Sequence, residues 1–213
     1  NRITLKRLET NGKDFNMSFA VVGYFAFLLI GLVLYYVLPK KVRWIWLLAL
    51  SYIYYFTFSI KTSIYMVFTT VVIYMGGIWL DKIITDSNAY ITANKASMSK
   101  EEKKAYKEKT KKRKRQALLV VLLICFGQLA VIKYTDFAIE NINSIISLFG
   151  GQNMINLPKF ALPLGISFFT FQSASYIIDV YQGKYRCQNN VFKLGLFVSF
   201  FPQLLQGPIG RYD

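Results

Sequence analysis

The residues whose types and spacing could do chemistry lie near the end of this sequence. Residues 160–178 are apolar enough to enter a bilayer, but polar side chains recur in and after them at steps of three and four: Gln172, Ser175, Asp179 and Gln182. On a helix this spacing puts them on one face, which would point toward a bundle interior or a wet cavity. The stripe has two interpretations, the wall of a substrate or cofactor passage, or hydrogen bonding between packed helices.

A second apolar segment, residues 191–205, carries Pro202 and is followed at once by the sequence Gln-Gly-Pro-Ile-Gly-Arg. Proline removes a backbone donor from a helix, so this segment is predicted to be a broken or re-entrant membrane helix. At helical spacing Ser199, Gln203 and Gln206 share a face, and Arg211 lies at its end. Broken membrane helices with polar side chains at the break are typical of ligand sites.

The sequence contains no histidine, which removes the most common general base and most zinc sites. Its two cysteines, Cys125 and Cys187, lie far apart without metal-ligand spacing. We therefore expect no disulfide and no metal site.

Composition gives the class of protein that carries these residues. Of 213 residues, 54% are hydrophobic and only 17% are charged, which is typical of a membrane protein. The sequence predicts an all-α polytopic membrane protein, a multi-span helical bundle. The net charge of +15 is concentrated, because twelve basic residues fall between Lys82 and Arg115.

Apolar runs and charge give a predicted organisation along the chain. The divisions are a polar extension at 1–16, three spans in 17–80, a basic loop at 81–116, a fourth span at 117–132, an outer amphipathic connection at 133–159, and the motif-bearing segment at 160–213. We expect Met17 to be nearer the natural start than Asn1. The excess of lysine and arginine predicts a multi-pass protein of the cell membrane with residues 81–116 in the cytoplasm.

The basic loop contains a capping box, Ser99 followed by Glu102, which predicts a helix start. This helix is predicted to run through Arg115 into the fourth span. The basic cluster either binds anionic lipid headgroups or an acidic cytosolic partner or cofactor, or it is a solvated face that sets topology. Aromatic residues are not interleaved with its basic residues, so we expect no nucleic-acid binding.

Two long motifs resemble those of the membrane-bound O-acyltransferases. The first runs from Leu162 to Ser173 as LPLGISFFTFQS and continues with the YIIDVY sequence at 176–181, and the second is SFFPQLLQGPI at 199–209, followed by Arg211. The match looks closest to the branch of alginate O-acetylases and peptidoglycan O-acetyltransferases. The YYVLPKKVRW turn at 35–44 fits the same branch, whereas the related D-alanyl transferases of teichoic acids depart from these patterns.

The resemblance implies an enzyme that takes an acyl group from a cytosolic donor, acetyl-CoA or another acyl thioester, and delivers it to a polysaccharide outside through a partner protein. It also implies a catalytic histidine further along than Asp213, so the chain is expected to be the N-terminal part of such an enzyme, without a catalytic residue of its own. The motif positions expected to frame the tunnel are Ser167, Gln172, Ser173, Asp179, Gln203, Gln206, Pro208 and Arg211. The alternatives are D-alanyl transfer to teichoic acid, or a non-catalytic transporter or structural module.

Overall fold

The described residues of this protein are α-helical. The computed structural model describes residues 22–58, 60–95, 97–148, 163, 165–206, 210 and 212. In chain order the helices are α1 Val22–Val37, α2 Arg43–Phe58, α3 Ile60–Ala93, α4 Lys100–Leu148, α5 Ile166–Gln182, α6 Val191–Ser199 and α7 Phe201–Gln206. These ranges contain no strand, and the predicted all-α membrane fold is confirmed.

The chain divides into two compact units, and residues 1–50 form the first. The basic turn predicted after α1 lies between α1 and α2, where Arg43 Nε donates to the Leu38 carbonyl at 3.0 Å. Trp46 Nε1 donates to the Gly31 carbonyl at 3.1 Å. At Gly31 an added Cβ would lie 2.8 Å from Leu50 Cδ2, so glycine permits this close approach of the two helices.

The second unit, residues 51–213, contains two helices much longer than the spans predicted within them. α3 continues to Ala93, past the span end predicted at residue 80. α4 passes without interruption through the boundaries predicted at 116 and 132. Lysine, arginine, glutamate and alanine are good helix formers, so the edge of an apolar run does not end a helix. As membrane and domain divisions those boundaries remain predictions.

The capping box predicted at the start of α4 is confirmed. Ser99 N–H donates to Glu102 Oε2 at 2.8 Å, and Glu102 N–H donates to Ser99 Oγ at 3.1 Å. The two bonds satisfy backbone donors that a helix start leaves free. The predicted continuation of this helix through Arg115 into the fourth span is also confirmed.

Both long helices exceed the thickness of a membrane. At about 1.5 Å per residue, the 34 residues of α3 and the 49 of α4 span about 51 and 74 Å, against roughly 30 Å of hydrocarbon. Residues 82–116, which we call the basic hairpin, contain the end of α3 and the start of α4. Ser87 Oγ lies 3.1 Å from Thr110 Oγ1, and the Tyr90 and Tyr106 rings stack with centroids 4.5 Å apart. These contacts hold its two arms together.

The core of the second unit lies where α3, α4 and α5 pack against one another and α6 packs against α3 and α5. α3 contributes Met66, Ile73 and Leu80, which repeat every seven residues and are fully buried. This spacing is typical of helices that pack along one continuous seam. Opposite them α4 contributes residues that recur every three or four positions: Ala117, Val121, Cys125, Leu129 and Ile132.

Within the part of the chain that the structure describes, two helices could cross a membrane by length and composition, α3 from Ser63 to Ala93 and α4 from Lys100 to Leu148. Val22–Val37 and Val191–Gln203 are shorter apolar helices. Large apolar side chains on the outer surfaces are more than half exposed, among them Leu29, Ile64 and Leu123. A bilayer would cover such side chains, in keeping with membrane localisation.

The contact between Gly76 of α3 and Val121 of α4 gives the first prediction. A Cβ at Gly76 would lie 2.4 Å from Val121 Cγ2, and β-branched valine has few rotamers with which to move away. We expect Gly76→Ala to lower the unfolding free energy by about 1–3 kcal/mol through overpacking. Thermal unfolding in detergent, followed by size-exclusion fluorescence, measures the change.

The matched control is Gly127→Ala, because nothing lies within 4 Å of an added Cβ at Gly127 of α4. This control should leave the melting temperature unchanged or raise it. Adding Val121→Ala to Gly76→Ala should restore part of the lost stability. Equal effects of the two glycine substitutions would contradict the close packing at Gly76.

Candidate functional site

The site is built around α5, whose two ends are set by glycine. Gly165 before the helix has φ 68°, and Gly183 after it has φ 75°, both in the left-handed region that favours glycine. Gly183 N–H donates to the Val180 carbonyl and Lys184 N–H to the Asp179 carbonyl. These bonds close the helix in the way typical of a glycine C-cap. The two glycines therefore fix where α5 begins and ends, and its 17 residues pack against α3, α4 and α6.

Gln172 joins α5 to the broken segment. Its side chain is 1% exposed, and its Nε2 donates to the Phe197 carbonyl of α6 at 2.9 Å and to Gln203 Oε1 of α7 at 3.2 Å. The structure thus brings two of the predicted site residues, Gln172 and Gln203, into direct contact. At this position the polar stripe makes hydrogen bonds between helices.

The predicted helix break lies before Pro202. α6 ends at Ser199, Phe200 adopts φ −59° and ψ 100°, and α7 starts at Phe201. A continuous helix would need a donor at residue 202 for the Val198 carbonyl, which proline lacks. With the break at Phe200, Pro202 falls in the first turn of a new helix, where a missing N–H is tolerated.

The chain turns back after α7. The Tyr212 ring lies 5.1 Å from the Phe197 ring of α6 and 5.2 Å from the Tyr176 ring of α5. Its hydroxyl accepts a hydrogen bond from Gln188 Nε2, in the loop that precedes α6. Tyr212 therefore lies near the end of the bundle from which α6 starts, and the predicted helix break is confirmed. We call α6 and α7 together the re-entrant element.

The loop between α5 and α6 lies at the end of the bundle where the basic hairpin emerges. Lys114 Nζ lies 5.0 Å from the centre of the Tyr181 ring, and Tyr176 Oη accepts from Gln188 N–H at 2.9 Å. Asn190 Oδ1 accepts from Phe192 N–H at 2.9 Å and caps α6. The re-entrant element therefore starts at the end of the bundle that carries the basic hairpin, which we call the basic end.

Outside the predicted spans, the pKa values of Lys114 and Cys187 at this end are shifted. Burial lowers the pKa of the Lys114 ammonium group. Burial also raises the pKa of the Cys187 thiol, and the Asp81 carboxylate raises it further. Both cysteines are free: Cys187 in this loop and Cys125 in the core. Among the described residues, no cluster of three histidine, cysteine or acidic side chains could hold a metal ion.

The remaining members of the stripe lie elsewhere. Ser175, Asp179 and Gln182 line a groove of about 460 Å³ between α4 and α5. Asp179 Oδ1 is paired with Lys184 Nζ at 2.7 Å, with the Asp179 side chain 7% exposed and that of Lys184 48% exposed. The stripe therefore divides into a buried part that binds α6 and α7, and a part that lines this groove.

Two buried hydroxyl groups on the motifs, of Ser173 and Ser199, have no hydrogen-bond partner among the residues that the structure describes. Both side chains are fully buried, and they are close in sequence to Gln172 and Gln203 respectively. Ser167 is half-buried in the first turn of α5. The side chain of Gln206, and residues Pro208 and Arg211, lie outside the described residues.

Sequence reasoning missed a second polar link inside the bundle. Gln128 of α4 donates from Nε2 to the Tyr65 carbonyl of α3 at 3.0 Å, and its Oε1 accepts from Thr69 Oγ1 at 3.1 Å. The sequence carried a signal for this link, because Gln128 is the one strongly polar side chain in the fourth apolar run, residues 117–132. Tyr176 and Tyr212, which hold the loop before α6 through Gln188, carry no comparable signal in the sequence.

Comparison with known proteins gives relatives over most of the chain. The chain is 32% identical over 192 residues to the probable alginate O-acetylase of Pseudomonas aeruginosa, covering 90% of this chain and 32% of that protein. It is 32% identical over 191 residues to that of Azotobacter vinelandii, with 90% of this chain and 33% of the relative covered. With the peptidoglycan O-acetyltransferase of Helicobacter pylori it shares 29% identity over 218 aligned positions, covering 89% of this chain and 36% of that protein.

The chain thus spans about a third of the length of the curated relatives it matches. No protein-family profile matches it, and no solved structure matches it. A helical membrane bundle with a re-entrant element is the class that the fold defines. Within that class, the chain is related to the alginate O-acetylase and peptidoglycan O-acetyltransferase branch of the membrane-bound O-acyltransferases, as its motifs indicated.

The contact between Gln172 and Gln203 gives the second prediction. Gln172→Leu should cost about 1–3 kcal/mol of unfolding free energy, because it removes the buried donor that binds both the Phe197 carbonyl and Gln203 Oε1. Gln203→Leu should cost less, because Gln172 keeps its bond to Phe197. Denaturation in mixed micelles measures each variant.

The double variant completes the cycle. We expect a coupling of about 0.5–1.5 kcal/mol between the two glutamines, the usual net value of one hydrogen bond. Strict additivity of the two single substitutions would mean that the bond contributes nothing to stability.

Proposed function

We propose that the whole protein containing this chain transfers acetyl groups to a polysaccharide outside the cell membrane. The observation that carries the proposal is the similarity along 90% of the chain to proteins named alginate O-acetylase, with a peptidoglycan O-acetyltransferase also among its relatives. The re-entrant element is consistent with it, because it places polar groups inside an otherwise apolar bundle. The donor in this proposal is acetyl-CoA or another acyl thioester of the cytosol.

The reaction joins a sugar hydroxyl to an acyl group. The hydroxyl oxygen attacks the thioester carbonyl carbon, the carbon–sulfur bond breaks, a general base takes the hydroxyl proton, and the thiol is released. This chain has no histidine to act as the base, so in the proposal the base comes from elsewhere in the whole protein. The chain's own part is to form the wall of the reaction chamber.

The residues that suit this part are close in sequence to Gln172 and Gln203. The hydroxyl groups of Ser173 and Ser199 are buried with no partner on the described part of the chain, so they retain capacity to bind a polar group. Buried polar groups without partners are costly, and a substrate oxygen or an ordered water would satisfy them. The tunnel in the proposal passes along this part of α5, α6 and α7.

The orientation follows from the positions of the charges. With the basic hairpin in the cytoplasm, the re-entrant element starts on the cytosolic side, from which a thioester donor would come. The sugar acceptor, and the partner protein that presents it, would then lie on the opposite side. Anionic lipid headgroups would contact only the base of the hairpin, because the screening length is about 8 Å at physiological ionic strength and its tip extends further.

Replacing Gln203 tests the function. Gln203→Ala in the whole protein should lower the acetyl ester content of the extracellular polysaccharide severalfold at equal protein abundance, because it removes a side chain that lines the proposed tunnel. The esters are released with mild base and quantified as acetate. Gln116→Ala, an exposed position of the basic hairpin, is the control and should leave acetylation unchanged.

The same hydrolysate distinguishes the alternatives. Release of D-alanine instead of acetate would identify D-alanyl transfer. Unchanged acetate together with altered solute uptake in Gln203→Ala cells would favour a transporter and contradict the proposal.

The orientation is tested with added cysteines in a Cys187→Ser background, in which Cys125 stays buried in the core. Ser99→Cys places a thiol at the tip of the basic hairpin, and Leu148→Cys places one at the opposite end of α4, where Leu148 is 83% exposed. A membrane-impermeant maleimide should label Leu148→Cys in intact cells and Ser99→Cys only in inside-out vesicles. The reverse pattern would invert the orientation.

A further inference from the structure

The groove between α4 and α5 changes in character along its length. One end is apolar, with the Phe126 and Phe171 rings packed edge to face at a centroid distance of 5.5 Å. The other end carries Gln182 and the ion pair of Asp179 with Lys184. An apolar interior with a polar mouth fits an amphiphile better than a fully polar ligand.

The length of the groove matches the depth of one leaflet. From Phe171 to Gln182 the lining residues span eleven helical steps, which is about 16 Å. Half of a bilayer's hydrocarbon core is about 15 Å. The polar mouth lies at the end of the bundle where the basic hairpin starts, so the groove extends from that membrane surface toward the bilayer centre.

The mouth has an excess of positive charge. Lys184 uses one contact to pair with Asp179, and an ammonium group has three donors, so donors remain for a second anion. Lys114 lies over the Tyr181 ring, which adjoins Gln182 in the chain. Lys184 and Lys114 are thus two cations at or beside the mouth, where Asp179 is the carboxylate of the groove lining, and a phosphate would balance the difference. Asp81, at the same end of the bundle, is hydrogen-bonded to the Cys187 thiol.

We propose that this groove is a binding site for an anionic glycerophospholipid of the leaflet on the basic-hairpin side. One acyl chain lies between Phe126 and Phe171, and the phosphate is held at the mouth by Lys184 and Lys114. The bilayer supplies this occupant because α4 presents Leu123 and Ile124, 71% and 42% exposed, as an apolar surface. The inference does not depend on acetyl transfer, and its test needs no activity.

The test uses a tryptophan at the apolar end of the groove as reporter. The whole protein with Phe171→Trp is placed in nanodiscs of phosphatidylcholine that contain either brominated phosphatidylglycerol or brominated phosphatidylcholine. Quenching of the reporter is obtained after subtracting that of the unsubstituted protein, which contains Trp44, Trp46 and Trp79. We expect phosphatidylglycerol to bind about fivefold more tightly than phosphatidylcholine, which is the preference that one lysine near the surface gives for an anionic lipid. Leu123→Trp, on the open lipid-facing surface, should show no such preference.

Charge variants then locate the phosphate. Asp179→Asn with Lys184→Gln removes the ion pair without leaving a buried carboxylate unpaired, and should reduce the preference in part, because Lys114 remains. Adding Lys114→Gln to this pair should reduce the preference to the Leu123→Trp value. Lys114→Gln alone should reduce it in part, and Lys112→Gln, exposed on the hairpin, should leave it unchanged.

Three results would overturn the proposal. The first is an absence of quenching at residue 171 by either brominated lipid, which would mean that another part of the protein covers the groove. The second is equal quenching by both lipids. The third is a preference that survives removal of both Lys184 and Lys114.

Discussion

A helix that breaks inside a membrane frees backbone carbonyl and amide groups, and lipid offers them no partner. In this protein the break at Phe200 is supported by Gln172, a single side chain of the neighbouring helix that binds both the end of α6 and the first turn of α7. The rest of the motif region follows from this link. It fixes how α5 faces α6, and it keeps buried polar groups together inside an apolar bundle.

The frame that holds this link is the seam between α3 and α4. Its heptad spacing on α3 and the glycine at position 76 let the two helices approach closely, and α5 and α6 pack onto the pair. Because α3 and α4 are continuous, the seam extends beyond the predicted spans into the basic hairpin. The charged hairpin and the buried polar link therefore belong to one helical framework, with the Lys114 contact to Tyr181 between them.

Several parts of this architecture were predictable because their causes are local. The capping box at Ser99 depends on residues three positions apart, and the break near Pro202 depends on the chemistry of proline itself. The ends of α3 and α4 were not predicted by apolar runs, because charged residues continue a helix as readily as apolar ones do. Hydropathy shows where a helix meets lipid, and backbone hydrogen bonding decides where it ends.

The sequence by itself determined that this is a helical membrane protein with a basic segment and two motifs of the O-acyltransferase type, because composition, charge and motif order are properties of the chain. Only the tertiary structure decided what the polar stripe of α5 does. Four side chains that share one face in sequence divide between two neighbours: Gln172 binds α6 and α7, while Ser175, Asp179 and Gln182 line a groove beside α4. Helical periodicity sets the direction of a side chain from its own axis, but the partner it meets depends on how the other helices pack around that axis.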